Sequence, residues 1–288
     1  MKIYIAIALS LLISLPVSAQ FIAFPEAEVR SILLMTPDQI KQFAHKKEIE
    51  LFKFSDPIPS QSKDVAHAFL ASLPEVDQEL FGPYKEIFTG STLGVYFSKH
   101  NSSIDLESDT ILFSSEADRW TIAHEMGHAL IDKNRPLEMK KDEGADIERL
   151  RNAKEDYEEI MNLYRNLGFF PGQSYMQRAL QSIQVWTSLM LDMLYTYELE
   201  EVRIEKYLIG LYENKPGLKL DSHTYKRSFW YIGKNCTSAK AKVNLAVEVL
   251  EYFSSIVPVE FKDAHRSELL KHKKILDQHR KVIGELCL

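Results

Sequence analysis

Between Arg119 and Asp132 the chain reads RWTIAHEMGHALID. No other stretch constrains the fold as tightly. On an α-helix, residues i and i+4 lie on one face, so His124 and His128 can aim two imidazole nitrogens at a single ion. The uncharged neighbours Ile122, Ala123, Met126, Ala129 and Leu130 imply that this helix is buried around its histidines. Two buried imidazoles with a glutamate between them are costly to leave without partners. Gly127, in mid-helix, gives up about 1 kcal/mol relative to alanine, which hints at a backbone or ligand approaching closely. The competing reading is a pair of hydrogen-bonded core histidines.

The chemistry favours a metal. Neutral imidazoles suit zinc, and two of them leave room for a third protein ligand and a water. Glu125 is one step round the helix from His124, so it is badly placed as a ligand on that face. It can instead reach a metal-bound water, whose pKa zinc lowers towards 7, and take its proton.

The flanking sequence gives the frame. MKIYIAIALSLLISLPVSAQ has an early lysine, a short apolar run and small residues before Gln20. This is the pattern of a signal peptide over residues 1–19, cleaved after Ala19, and the run is too short to span a bilayer. The expected mature chain, 20–288, is a single domain in the periplasm or outside the cell, with no stable membrane anchor. A net charge of −6 with no long basic run excludes a nucleic-acid surface. Cys236 and Cys287 can close one disulfide in an oxidising compartment or remain two buried thiols.

Periodicity predicts a chain that is α+β and predominantly helical. TPDQIKQFAHKKEIELF starts a helix at Thr36 and Pro37, and SKDVAHAFLASL and PEVDQELFGPYKEIF read as further helices. TLGVYFS and DTILFS read as neighbouring antiparallel strands just before the motif. Ser115 and Asp118 suggest the start of the motif helix, and Asn134-Arg135-Pro136 its end. Leu150, Tyr157, Ile160, Met161 and Tyr164 form one apolar face, and a helical insertion is expected at about 137–172. A long helical stretch follows from Gln173 to Tyr212, then two helices over Ser238–Phe253 and Glu260–Ile283.

TIAHEMGHAL, from Thr121 to Leu130, resembles the zinc-binding helix of zincin metallopeptidases. The match covers this helix and little else. It implies a zincin-like metallopeptidase fold with a small sheet preceding the HExxH helix. It also implies a strand ahead of the helix that binds substrate in extended form, and DTILFS is placed to be that strand. The metzincin branch continues with a glycine three residues on and a histidine six on. Ile131 and Asn134 stand there and exclude it. The gluzincin branch takes its third ligand from a later helix as a glutamate, often followed four residues on by an acid that orients the first histidine.

YTYELEEVRIEKYL offers that pattern. The stripe Met190, Leu194, Tyr197 continues through Glu201 to Ile204 and Leu208, so Glu201 falls on the buried side, where a metal removes the cost of a lone carboxylate. Glu201 is the expected third ligand and Glu205 the orienting acid, with Glu198 in reserve. Glu200 is expected to point away with Arg203 as a solvated residue. Alternatively, these glutamates are surface charges pairing with Arg203 and Lys206. Tyr197, His223, Tyr225 and Tyr231 are the candidate donors to a developing oxyanion, the last three in an expected loop.

These readings combine into an exported metallopeptidase. His124, His128 and Glu201 would hold one Zn2+, Glu125 would activate the water, and the substrate would be a peptide or protein. The alternative is a catalytically inactive, zincin-like secreted binding or structural protein. Glu125 separates the two, because a metal scaffold has no need of it.

Overall fold

The computed structural model describes residues 22–53, 94–100, 106–113, 117–136, 143–196, 198–214 and 222–288. The expected signal peptide, the helices expected within 62–88, and Tyr197 lie outside the described residues.

Thr36 and Pro37 start a helix for the reason their chemistry gives. The Thr36 hydroxyl accepts from the Gln39 amide, and the Gln39 side chain accepts from the Thr36 amide, 2.8 Å away. This helix, α2 (Pro37–Lys46), follows α1 (Glu26–Leu34). It ends sooner than its sequence suggests. Glu48 adopts φ 55°, turning the chain, and Ile49–Lys53 forms strand β1. The helix expected through Phe52 is therefore corrected. The segment's stability as a strand comes from a distant partner rather than from local periodicity.

That partner is β3 (Asp109–Phe113), which pairs with β1 in parallel and with β2 (Gly94–Phe97) antiparallel, as expected for those two strands. The order β1-β3-β2 makes β3 the central strand. Both of its hydrogen-bonding edges are taken, so DTILFS cannot receive a substrate strand. Among the described residues β2 is an edge. Side chains alternate across the sheet, as a pleated strand requires. Val95, Phe97 and Leu112 join one core, and Tyr96, Ile111 and Phe113 join the other.

The motif helix α3 (Arg119–Lys133) lies in the second core, with α1, α2 and a later helix, Glu198–Glu213. Asp118 itself is its N-cap, accepting from the Thr121 amide at 2.9 Å. Asn134 closes it, as the sequence indicates. Burial on nearly every side leaves little room at Gly127. A Cβ there would stand 3.3 Å from Ile204 Cδ1, so it is a neighbouring helix that approaches closely.

The first core is built by α4 (Glu143–Leu167), α5 (Gln173–Thr196), α7 (Ser222–Ile256) and α9 (Arg266–Leu286). Leu150, Tyr157, Ile160 and Met161 of α4 face Ile183, Trp186 and Met190 of α5, and Gly168, at φ 75°, begins the turn between these helices. The expected long helical stretch is helical on both sides of Tyr197, as α5 and α6 (Glu198–Glu213). The next helix begins at Ser222 rather than Ser238, so Tyr225 and Tyr231 are helical and not in a loop. A short helix α8 (Val259–Ala264) precedes α9. A Cys236–Cys287 disulfide ties the end of α9 back to α7. Among the described residues no helix is long and apolar enough to cross a membrane.

Candidate metal centre

The packing of α6 against α3 brings three donors together. His124, His128 and Glu201 offer ligand atoms that all lie within 4.8 Å of one another. His124 Nε2 lies 2.7 Å from Glu201 Oε2, His128 Nε2 lies 3.2 Å from Glu201 Oε1, and the two Nε2 atoms are 3.1 Å apart. Donor atoms around a tetrahedral ion with bonds near 2.05 Å stand about 3.3 Å apart. The cluster is of the size such an ion needs.

The outer nitrogens show why the inner ones converge. His128 Nδ1 donates to Glu200 Oε1 at 2.8 Å, and His124 Nδ1 faces Glu205 Oε1 at 3.0 Å. A carboxylate at Nδ1 keeps the proton there and turns the Nε2 lone pair inward. Two such lone pairs and a carboxylate, buried together, repel unless a cation lies among them. Glu201 Oε2 is itself buried and makes no hydrogen bond. The donor set therefore fits a divalent metal.

Charge tells the same story. Burial works against a charged imidazole, yet Glu201 and Glu205 outweigh it at His124 and raise its pKa well above the ordinary value. At His128, burial is outweighed in the same way by Glu201 and Glu200. Burial would raise the Glu201 carboxyl, but the two imidazoles hold it far below the usual carboxylate range. The pocket attracts positive charge in whatever form is available.

The structure sorts the glutamates differently from the sequence in one respect. Glu201 and Glu205 sit where the stripe puts them. Glu198 is buried elsewhere, accepting from Ser238 Oγ at 3.1 Å and from Lys242. Glu200 is not solvated: it is 3% exposed, holds His128, and accepts from Arg135. The expectation failed because α6 is packed on more than one face, so the residue one step round from Glu201 is buried as well. A usable signal was present. Leu199, Val202, Ile204, Leu208, Ile209 and Leu211 surround α6 with apolar residues, leaving no wholly solvated face for an acid.

Arg135 extends the arrangement. Its Nη1 donates to Asp132 Oδ1 at 3.0 Å, and Asp132 Oδ2 accepts from Tyr96 and Ser98, each at 3.0 Å. Burial would lower the Arg135 pKa, but Glu200 and Asp132 raise it, so it stays charged. Spacing in the sequence gives no sign of this relay from β2 to His128.

Glu125, 9% exposed, lies beside β2. A Cβ at Gly94 would come within 2.9 Å of both Glu125 Cγ and Thr121 Cγ2, so only glycine leaves that carboxylate its place. On the far side, α7 contributes Tyr231, whose ring centre is 6.5 Å from that of His124, and Arg227, which donates to Thr121 Oγ1 at 3.3 Å. Of the four proposed oxyanion donors, Tyr231 is the one found near the cluster. Tyr225 instead donates to Glu213 at 2.8 Å, and the side chains of Tyr197 and His223 lie outside the described residues. The chain matches no family model, no curated protein and no solved structure.

Proposed function

We propose that this chain is an exported zinc-dependent metallopeptidase of gluzincin type. The observation that carries the reading is Glu125. It flanks two metal-competent histidines, is not needed to hold an ion, and is kept beside an edge strand by a glycine. His124, His128 and Glu201 would hold the zinc, with Glu205 and Glu200 fixing the imidazoles. Zinc, when bound, supplies an acidified water and polarises the scissile carbonyl. Glu125 accepts a proton from the nucleophile and returns it to the leaving amine. Tyr231 is the side chain best situated to donate to a developing oxyanion. A peptide in extended form would pair with β2 rather than β3, since β2 has an open edge among the described residues.

Zinc content and hydrolysis of a mixed peptide library, measured on the mature protein and on Glu125→Gln and Glu201→Ala variants, test this. The expected result is zinc retained and hydrolysis lost in Glu125→Gln, and both lost in Glu201→Ala. A wild-type protein without zinc affinity would refute the metal centre. Zinc binding without hydrolysis of any peptide would leave a metal-binding protein and remove the peptidase.

A further inference from the structure

Arg227 is a half-buried cation whose only hydrogen bond among the described residues is to the neutral Thr121 hydroxyl, at 3.3 Å. Among the described residues no carboxylate pairs with it. This is notable in its setting. Glu125, Glu200, Glu201 and Glu205 crowd the neighbouring centre, and Asp118 spends its Oδ1 on the Thr121 amide and hydroxyl at 2.9 and 3.0 Å. A guanidinium carries five N–H donors in a planar fork that matches a carboxylate. Most of that fork is uncommitted here.

Its position gives the fork a use. Thr121 is one helical turn before Glu125, and both side chains press on the same point of β2 at Gly94. Tyr231 is one turn after Arg227 on α7 and stands against His124. Thr121, one turn before Glu125, therefore has β2 against its methyl group and Arg227 at its hydroxyl, while Tyr231 lies near the neighbouring His124. An acid-rich site repels any substrate carboxylate unless a cation at its margin compensates. We infer that Arg227 binds the free C-terminal carboxylate of a peptide, so that the substrates are short peptides or chain ends cut close to their C-terminus. This rests on the peptidase reading for the cut, though not for the binding.

The test uses a mixed acetyl-tripeptide library prepared as free acids and as C-terminal amides. Binding of both pools is measured on zinc-loaded Glu125→Gln protein, which cannot turn them over, with and without Arg227→Met or Arg227→Lys. Free acids should bind about ten- to hundred-fold more tightly than amides, the range of a charge-assisted paired contact. Arg227→Met should erase the difference and Arg227→Lys restore part of it. Equal binding of the two pools, no binding of either, or a preference that survives Arg227→Met would overturn the inference. So would amides containing Asp or Glu that bind as tightly as free acids. If Arg227→Met does not fold, the acid-to-amide comparison in the protein that keeps Arg227 still decides. Wild-type hydrolysis of acids and amides alike would overturn this inference and keep the peptidase. Acid-selective binding through Arg227 with no hydrolysis would keep this site and remove the peptidase.

Discussion

Replacing Glu200 with glutamine tests the least expected part of the centre. The carboxylate is 3% exposed and serves two buried groups, the His128 Nδ1–H at 2.8 Å and the Arg135 guanidinium. Glutamine keeps one acceptor oxygen and turns an N–H group towards the other donor. One of the two donors then loses its acceptor, and Arg135 keeps only Asp132. A charge-assisted bond lost in a buried network costs about 3 kcal/mol in the metal-free protein. Loosening the ring of a ligand histidine lowers metal affinity by about 10- to 100-fold. Glu205→Gln provides the contrast, because Glu205 faces His124 Nδ1 alone at 3.0 Å and no other cation among the described residues. It should lower zinc affinity with a smaller loss of stability. Denaturant unfolding of the metal-free proteins and chelator competition for zinc give the two readouts. If Glu200 were a solvated charge, both would move little, with stability changing by less than about 0.5 kcal/mol. That result would refute the relay and the orientation of His128 together.

Gly94→Ala brings a Cβ within 2.9 Å of Glu125 Cγ and Thr121 Cγ2. Peptide hydrolysis should fall by at least about tenfold while zinc content holds; unchanged hydrolysis would show that Glu125 is not set by that contact. The disulfide joins residues 51 apart, so replacing Cys236 and Cys287 by serine should cost about 4 kcal/mol on chain-entropy grounds, read as a lower denaturation midpoint. Burial depresses His272 and His279 to about 4, so native protein resists the protons that the unfolded chain takes up below its ordinary value of 6.5. Their neutral forms cost nothing above pH 6.5, and stability should decline by up to about 3 kcal/mol per histidine as pH falls from 6.5 to 4. A His272→Gln, His279→Leu double variant should flatten that part of a stability–pH curve, and an unchanged slope would exclude them as its cause.

What could be read from the sequence was local. His124, Glu125 and His128 share one helix, and a spacing of four residues fixes their faces without any tertiary knowledge. The Thr36–Gln39 capping box is legible for the same reason. Glu201 needed one assumption, that an apolar stripe marks a buried face, and that assumption held. It failed for Glu200 because one stripe does not mark the only buried face of a helix packed on several sides. Strand β1 was illegible because its partner Asp109–Phe113 is some sixty residues away, and parallel pairing leaves no short turn in the sequence. Gly94 looked like any strand glycine, since its meaning depends on a helix that packs against it later.

The illegible residues are also those that join the parts. Tyr96 of β2 and Ser98 just after it bond Asp132, Asp132 bonds Arg135, Arg135 bonds Glu200, and Glu200 bonds His128. Each link removes the cost of burying the next, and none would be stable in the interior alone. Strand β2 and the candidate ligand His128 are thus parts of one polar network that forms only when β2, α3 and α6 have all come together. A partly folded chain that had formed α3 would hold His124 and His128 correctly spaced and still lack Glu200, Glu201 and Glu205. Metal affinity would consequently be a property of the assembled fold rather than of HEMGH, and a peptide spanning Arg119–Lys133 should bind zinc far more weakly than the full chain. Comparable affinity in the peptide and the protein would mean that α6 contributes no ligand.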